Sequence, residues 1–256
     1  YKIYECTLFH TRNYWSNGGF KWSDLSCEGR FFSDNHGQQR KMDNYYDTVK
    51  LLNIRNVQEY KPVALDLQKS EWFIKIVEKF NNTKIKYFRN PIKDNLYKAR
   101  NKAIKESSGD LIAFLDCDDW WEKNYLSSRE KFFNNSKIDF FYSNTNVFFE
   151  RKKRNKLYRK FKLPSGNIFS SLSKDYFIII SGTIFRRGIF LKFGNFNEGY
   201  NIIGDYDFIM KISKDCNAHA IDLPLLNYRV HQNNFLKNHT KLYYEEYKNW
   251  YEREKK

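Results

Sequence analysis

Asp116, Asp118 and Asp119 stand within four residues of one another. Carboxylates that close repel unless a cation or strong hydrogen-bond donors neutralise them. Oxygen donors at this density suit a hard divalent ion, Mg2+ or Mn2+. Mg2+ takes one or two carboxylates and completes its shell with phosphate and water. A plainer role also fits these residues, an acidic turn capping the next helix. What precedes them favours the metal. Residues 111–115, Leu-Ile-Ala-Phe-Leu, form an unbroken apolar run, the pattern of a strand buried on both faces. A solvated turn needs no such delivery. Asp66 closes a second short apolar stretch, 62–66, in the same way.

The elements that must position these acids alternate in type. Helical spacing is read at 38–52, at 70–80, at 95–107 and at 122–133. Strand patterns fall at 62–66, 84–88, 111–115, 139–149 and 177–185. A helix is expected at 206–214, strand and loop at 218–230, and a charged, aromatic helical tail from Lys237. Strands alternating with helices predict an α/β sheet flanked by helices. In such sheets ligands sit beyond the carboxyl ends of the strands, where Asp66 and the 116–119 cluster both fall. Residues 1–35 show no sustained period, and no internal repeat is found.

Composition narrows the class. The chain has 256 residues, enough for a sizeable core, with 41% hydrophobic and 19% aromatic residues. That excludes a disordered tail. No apolar run approaches the roughly 18 residues needed to span a bilayer. No signal peptide is read at the start, which is Tyr1 and not Met. The four cysteines, Cys6, Cys27, Cys117 and Cys216, are widely spaced with no CxxC pair, so neither a zinc ribbon nor a disulfide scaffold is expected. A reducing, cytoplasmic setting follows as the default. The formal net charge is +15. The basic run 151–162 concentrates part of it, a pattern open to nucleic acid or to an anionic surface.

Several pieces in order resemble the family 2 glycosyltransferases of the GT-A fold, over roughly 62–234. Ala99-Arg100-Asn101 starts the match. The strand into Asp116-Cys117-Asp118-Asp119 looks like the family's DxD motif. Gly194-Asn195-Phe196-Asn197-Glu198 and then Gly204-Asp205-Tyr206-Asp207-Phe208 resemble its next segment. Tyr228-Arg229-Val230-His231 resembles its closing strand and loop. The resemblance implies a Rossmann-related, mixed but mostly parallel sheet, with a domain over 36–234 between an atypical front and a tail at 235–256.

The resemblance also implies an activity: inverting, metal-dependent transfer of a sugar from a nucleotide-diphosphate donor, a UDP-sugar, to an acceptor hydroxyl in surface polysaccharide or glycolipid synthesis, with an anionic membrane surface at the inner leaflet as a partner of the basic run and nucleic acid a poorer one. Asp205 is then the base that takes the acceptor proton. Asp118 ligates Mn2+ or Mg2+, with His231 as a second candidate ligand. Asp116 sits by the ribose or shares the metal, and Asp66 accepts from base or ribose. Arg100 is a candidate phosphate contact. Ser181, Gly182, Trp120 and Asp207 fall where the acceptor pocket is lined, and Trp121 could stack on a sugar ring beside Trp120. Each has a bland reading as capping, packing or solvated residue.

Two departures stand out. Leu67 follows Asp66 where the family has a second acid, and Gly204 precedes Asp205 where the family usually has Glu. The family's opening apolar strand is only faintly echoed at 31–35. Rival readings are an inactive nucleotide-sugar binder, a two-carboxylate hydrolase and a basic nucleic-acid or membrane-surface protein.

Overall fold

The computed structural model describes residues 95–255 apart from positions 117 and 233, together with three strands at 5–10, 63–66 and 86–89. The helices expected at 38–52 and 70–80, and the echo at 31–35, lie outside the described residues.

The described strands form one sheet. β1 (Glu5–His10), β2 (Val63–Asp66) and β3 (Lys86–Arg89) are parallel, with β1 between β2 and β4 (Leu111–Asp116). Beyond β4 the order continues through β8 (Thr183–Arg186), β6 (Phe140–Phe149), β9 (Ala218–Val230) and β5 (Trp120–Trp121), while β7 (Arg154–Leu157) pairs with β6 alone. The pairings of β4 with β8, β6 with β8, β6 with β7, and β5 with β9 are antiparallel, and β6 with β9 is parallel. The sheet is therefore mixed, as expected, but its second half is mainly antiparallel. β1 is an element the sequence reading missed. Glu-Cys-Thr-Leu-Phe-His carries no apolar run, yet it lies beside β4 with Phe9 opposite Asp116.

The period of two along β4 divides the core. Ile112 and Phe114 join one buried cluster, and Leu111, Ala113 and Leu115 join the other. The larger cluster packs five helices on one side: α1 (Leu96–Glu106), α2 (Phe169–Lys174), α3 (Arg187–Phe193), α4 (Gly204–Ser213) and α6 (Thr240–Glu254); α5 (Phe235–Asn238) is a single short turn. A knot of rings fixes α3 and α4 to the sheet. Phe208 stacks on Phe190 at 5.1 Å and meets Phe196 at 4.7 Å and Phe185 at 5.9 Å. Each such ring contributes about 1.5–3 kcal/mol by burial.

Two sequence expectations are corrected. Residues 122–133 form turns and a short 3-10 segment (Glu130–Phe132), not a helix. Ser128 Oγ donates to the Tyr125 carbonyl at 3.1 Å, and the Arg129 guanidinium donates to the same oxygen, so side chains compete for the carbonyls a helix would use. Residues 177–185 are not one strand. A 3-10 turn (Ile180–Gly182) precedes β8. There the Ser181 carbonyl accepts from Trp121 Nε1 at 2.6 Å, while Thr183 Oγ1 donates to the Ile180 carbonyl at 2.8 Å. The tail is helical, as expected. α6 buries Trp250 and Glu246 against the domain.

Candidate active site

The motif pieces read far apart in the sequence meet at the carboxyl end of β4. Asn101 on α1 donates through Nδ2 to the Phe196 carbonyl at 2.9 Å and to Glu198 Oε1 at 2.9 Å, and its Oδ1 accepts from Phe196 N–H at 3.0 Å. Asn95 caps α1 by accepting from Lys98 N–H at 2.9 Å and donates to the Glu198 carbonyl at 2.6 Å. The loop before α4 is thereby fastened to the start of α1.

The acid turn is fastened in the same manner. Asp116 N–H donates to Ser181 Oγ at 3.2 Å, and Asp119 Oδ1 accepts from Arg229 N–H at 3.1 Å. Each acid has a different environment. Asp116 faces the Arg100 guanidinium at 3.0 Å; Arg100 is 1% exposed and the Asp116 side chain 23%. Burial raises the Asp116 pKa despite Arg100, with the Asp118 and Asp205 charges adding to the rise. Asp118 Oδ2 lies 2.9 Å from His231 Nε2. Burial pushes the Asp118 carboxyl up, but the imidazole and the Arg229 guanidinium outweigh it and hold it below the usual range. Asp119 is buried, and desolvation with the charges of Asp118 and Asp116 pushes its pKa well up.

On the opposite side, α4 begins at Gly204 with no side-chain cap on Ile203. Asp205 and Asp207 occupy its first turn, where the helix dipole favours a carboxylate. Tyr97 OH donates to the Ile202 carbonyl at 2.5 Å, with Asp205 Oδ1 3.3 Å away, and Asp205 Oδ1 accepts from Tyr206 N–H at 2.9 Å. The Tyr97 ring lies so close to Gly204 that an added Cβ would sit 2.7 Å from it. Any larger side chain there would displace the ring, which accounts for glycine at a position where an acid was expected. Asp205 is near enough for its charge to raise the pKa values of Asp116, Arg100, Tyr97 and the half-buried Tyr228.

Several expected roles change. Arg100 was read as a phosphate contact; it is buried among the rings of Tyr97, Phe114 and Phe196 and spends its guanidinium on Asp116. Ser181 was read as pocket lining; it is fully buried and holds the acid turn. Gly182 is buried against Leu226, where a Cβ would meet the side chain at 3.4 Å. Asp207 is buried and paired with Arg253 of α6, so it ties two helices together and does not face an acceptor. Trp121 is core, stacked on Tyr125 at 4.0 Å. Trp120 is half-buried, edge-on to Phe148, with the Arg229 guanidinium 5.3 Å from its ring. Asp66 ends β2 in register with His10 of β1 and Arg89 of β3, at the same edge of the sheet as Asp116. The sequence reading missed Tyr97 and Glu246, neither of which belongs to a recognisable spacing.

Among the described residues no three His, Cys, Asp or Glu side chains converge as a ready-made cage for an ion. The nearest pair is Asp118 with His231. Carboxylate oxygen and imidazole nitrogen are donors that Mn2+ accepts, and Mg2+ accepts the carboxylates. The donor set therefore fits a divalent ion that takes its remaining ligands from a diphosphate.

Comparison with known proteins agrees with this layout. Residues 70–194 match the model of the family described as Glycosyl transferase family 2. The chain is 30% identical over 166 residues to the Escherichia coli protein named UDP-Glc:alpha-D-GlcNAc-diphosphoundecaprenol beta-1,3-glucosyltransferase WfgD, covering 64% of this chain and 62% of that one. A second Escherichia coli protein of the same stated activity, WfaP, is 29% identical over 102 residues, covering 40% of this chain and 41% of that one. The chain thus spans less than two thirds of either relative. Among solved structures, S. aureus TarS 1-349 in complex with UDP-GlcNAc superimposes with a TM-score of 0.62 at 15% identity, covering 92% of this chain and 60% of that one. TarS 1-349 in complex with UDP gives 0.64 at 17% identity, covering 94% and 63%. These establish the GT-A fold.

Proposed function

We propose that this chain, which belongs to the family 2 glycosyltransferases, moves a hexosyl group from a UDP-sugar to a hydroxyl of a lipid-linked glycan, with inversion. The observation that carries this reading is the approach of Asp205 on α4 to the acid turn after β4. A base and a diphosphate-binding turn belong on opposite sides of one reacting carbon. Asp205 takes the acceptor hydroxyl proton as the oxygen bonds to the anomeric carbon, and the bond to the diphosphate oxygen breaks to release UDP. Asp118, with His231 and Asp116, would hold a divalent cation, which supplies positive charge against the charge building on the leaving diphosphate. Arg100 keeps Asp116 oriented. Asp66 lies at the strand edge where the nucleoside would sit. Trp120, half-buried beside the acid turn, would meet a sugar ring.

The donor class is supported by TarS, whose structures hold UDP and UDP-GlcNAc, and the acceptor class by relatives named for a diphosphoundecaprenol-linked sugar. No helix among the described residues is long and apolar enough to cross a membrane. The exposed β7 ribbon offers another contact. Arg154, Asn155, Lys156 and Leu157 are all exposed, as is Phe161 just beyond, which suits an anionic lipid surface carrying the acceptor.

The test is calorimetric binding of UDP with and without Mn2+. Metal-dependent binding that disappears in Asp118→Ala is expected, and wild-type protein that binds no nucleotide under either condition ends the transferase reading. Cosedimentation with phosphatidylglycerol vesicles, lost at high salt, is expected for the ribbon. Equal recovery with neutral phosphatidylcholine vesicles removes the lipid-surface role.

A further inference from the structure

The tail helix α6 does something that packing alone does not require. The Glu246 carboxylate is 7% exposed and faces three consecutive backbone N–H groups. Oε1 accepts from Asn201 N–H at 2.7 Å, and Oε2 accepts from Ile202 N–H at 2.9 Å and Ile203 N–H at 3.1 Å. The Asn201 side-chain amide adds a fourth contact at 3.3 Å. Ile203 is the N-cap residue of α4, and Asp205 follows two residues later. A buried carboxylate in such a nest of N–H groups is itself satisfied, and it fixes the path by which the chain enters the helix.

Neighbouring contacts reinforce this. Arg253 of α6 reaches Asp207 and, at 3.1 Å, Tyr200 OH. Trp250 meets the Tyr206 ring at 4.8 Å, edge to face. On the other flank Tyr97 holds the Ile202 carbonyl. The peptide groups leading into the catalytic helix are thus gripped at their N–H side by Glu246 and at a carbonyl by Tyr97. None of these α6 residues lies within the span that matches the family, 70–194.

We infer that Glu246 is a positioning residue for Asp205: it sets the entry of α4 so that the base points at the acceptor hydroxyl. This rests on reading Asp205 as the base. Small misplacements of a catalytic group cost rate and not binding, up to about 10²-fold for 1 Å. Glu246→Gln keeps the size of the side chain but exchanges one acceptor oxygen for a donor that confronts backbone N–H.

The experiment measures transfer kinetics and UDP–Mn2+ binding for Glu246→Gln, Asp205→Asn and the double variant. Glu246→Gln should lower kcat by about 10–100-fold with UDP–Mn2+ affinity unchanged. The double variant should be no slower than Asp205→Asn alone, because Glu246 acts through the base. A merely structural Glu246 would instead give losses that multiply, and that result overturns the inference, as does Glu246→Gln with wild-type kcat. Asp205→Asn with wild-type turnover would sink the base assignment and this inference with it. Asp205→Asn inactive beside a fully active Glu246→Gln sinks only the inference. Should Glu246→Gln not fold, Arg253→Met probes the same tether from a half-exposed position, with a smaller kcat loss and the same failure to add to Asp205→Asn expected; multiplying losses there overturn the inference.

Discussion

The acid turn after β4 and the head of α4 both meet α1, through Arg100 and Tyr97, yet their carboxylates are held by opposite means. On the turn, Asp116 is paired with Arg100 and Asp118 with His231. At α4, no ion pair holds Asp205 among the described residues; it rests on a backbone N–H, with a phenol beside it, in a helix entry fixed by Glu246. The difference suits the two tasks proposed for them. Acids that gather a diphosphate and its cation must have their charge offset. A base must keep its affinity for a proton, and a paired cation would lower it.

The largest effect should come from breaking the base side. Asp205→Asn keeps shape and hydrogen-bond capacity but removes the proposed proton acceptor. Transfer should fall by about 10²–10⁴-fold, the usual contribution of a positioned general base, while UDP still binds. If Asp205→Asn weakens UDP binding as strongly as it lowers turnover, the division of labour between the two sides fails.

Next comes the ionic side. Arg100→Met preserves volume among Tyr97, Phe114 and Phe196 but leaves Asp116 without its guanidinium. Removing one partner of a largely buried pair costs about 3 kcal/mol, or roughly a 6–12 °C drop in melting temperature for a chain of this size. Scanning calorimetry reads it directly. A drop under about 2 °C would mean that the pair is solvated, worth no more than an exposed salt bridge.

The same contrast explains what the sequence disclosed. The turn was legible because its chemistry is local: an apolar run delivering clustered acids is visible in ten residues. The fold class was legible for the same reason, through alternating periods. Partners of the acids were not legible. Arg100 reads as an exposed helical position until the ring cluster of Phe114 and Phe196 closes over it. Asp207 reads as a pocket residue until Arg253, 46 positions later, reaches it. Glu246 sits in a charged, aromatic stretch whose face toward α4 depends on Tyr206, Tyr247 and Trp250 meeting across the chain. β1 escaped because six residues without an apolar run become a central strand only beside β2 and β4. Contacts between distant segments decide these, and a single sequence carries no local trace of them.

The smallest effect sharpens the ionic side further. Asp119 is the acid of the turn with no cation of its own: its Oδ1 accepts from Arg229 N–H, and the Ser181 hydroxyl is its other neighbour favouring the charged form. Burial, then the charges of Asp118 and Asp116, raise its pKa in the folded state. For a carboxyl with a raised folded pKa the folded state holds the proton more tightly than the unfolded one. Its contribution is fully present below the unfolded value near 3.9 and is lost as pH rises through the folded pKa. Asp119→Asn cannot lose that proton. The metal-free variant should match wild type near pH 4 and melt higher at pH 7–8 by about 2–4 °C, the shift that about 1 kcal/mol gives at this size. Adding Mn2+ and UDP should narrow the gap, because positive charge at Asp118 then relieves the repulsion that the substitution removed. A gap independent of pH would mean that Asp119 is ionised throughout and is stabilised by its contacts with Arg229 N–H and Ser181, and the turn would then resemble the head of α4 more than the contrast allows.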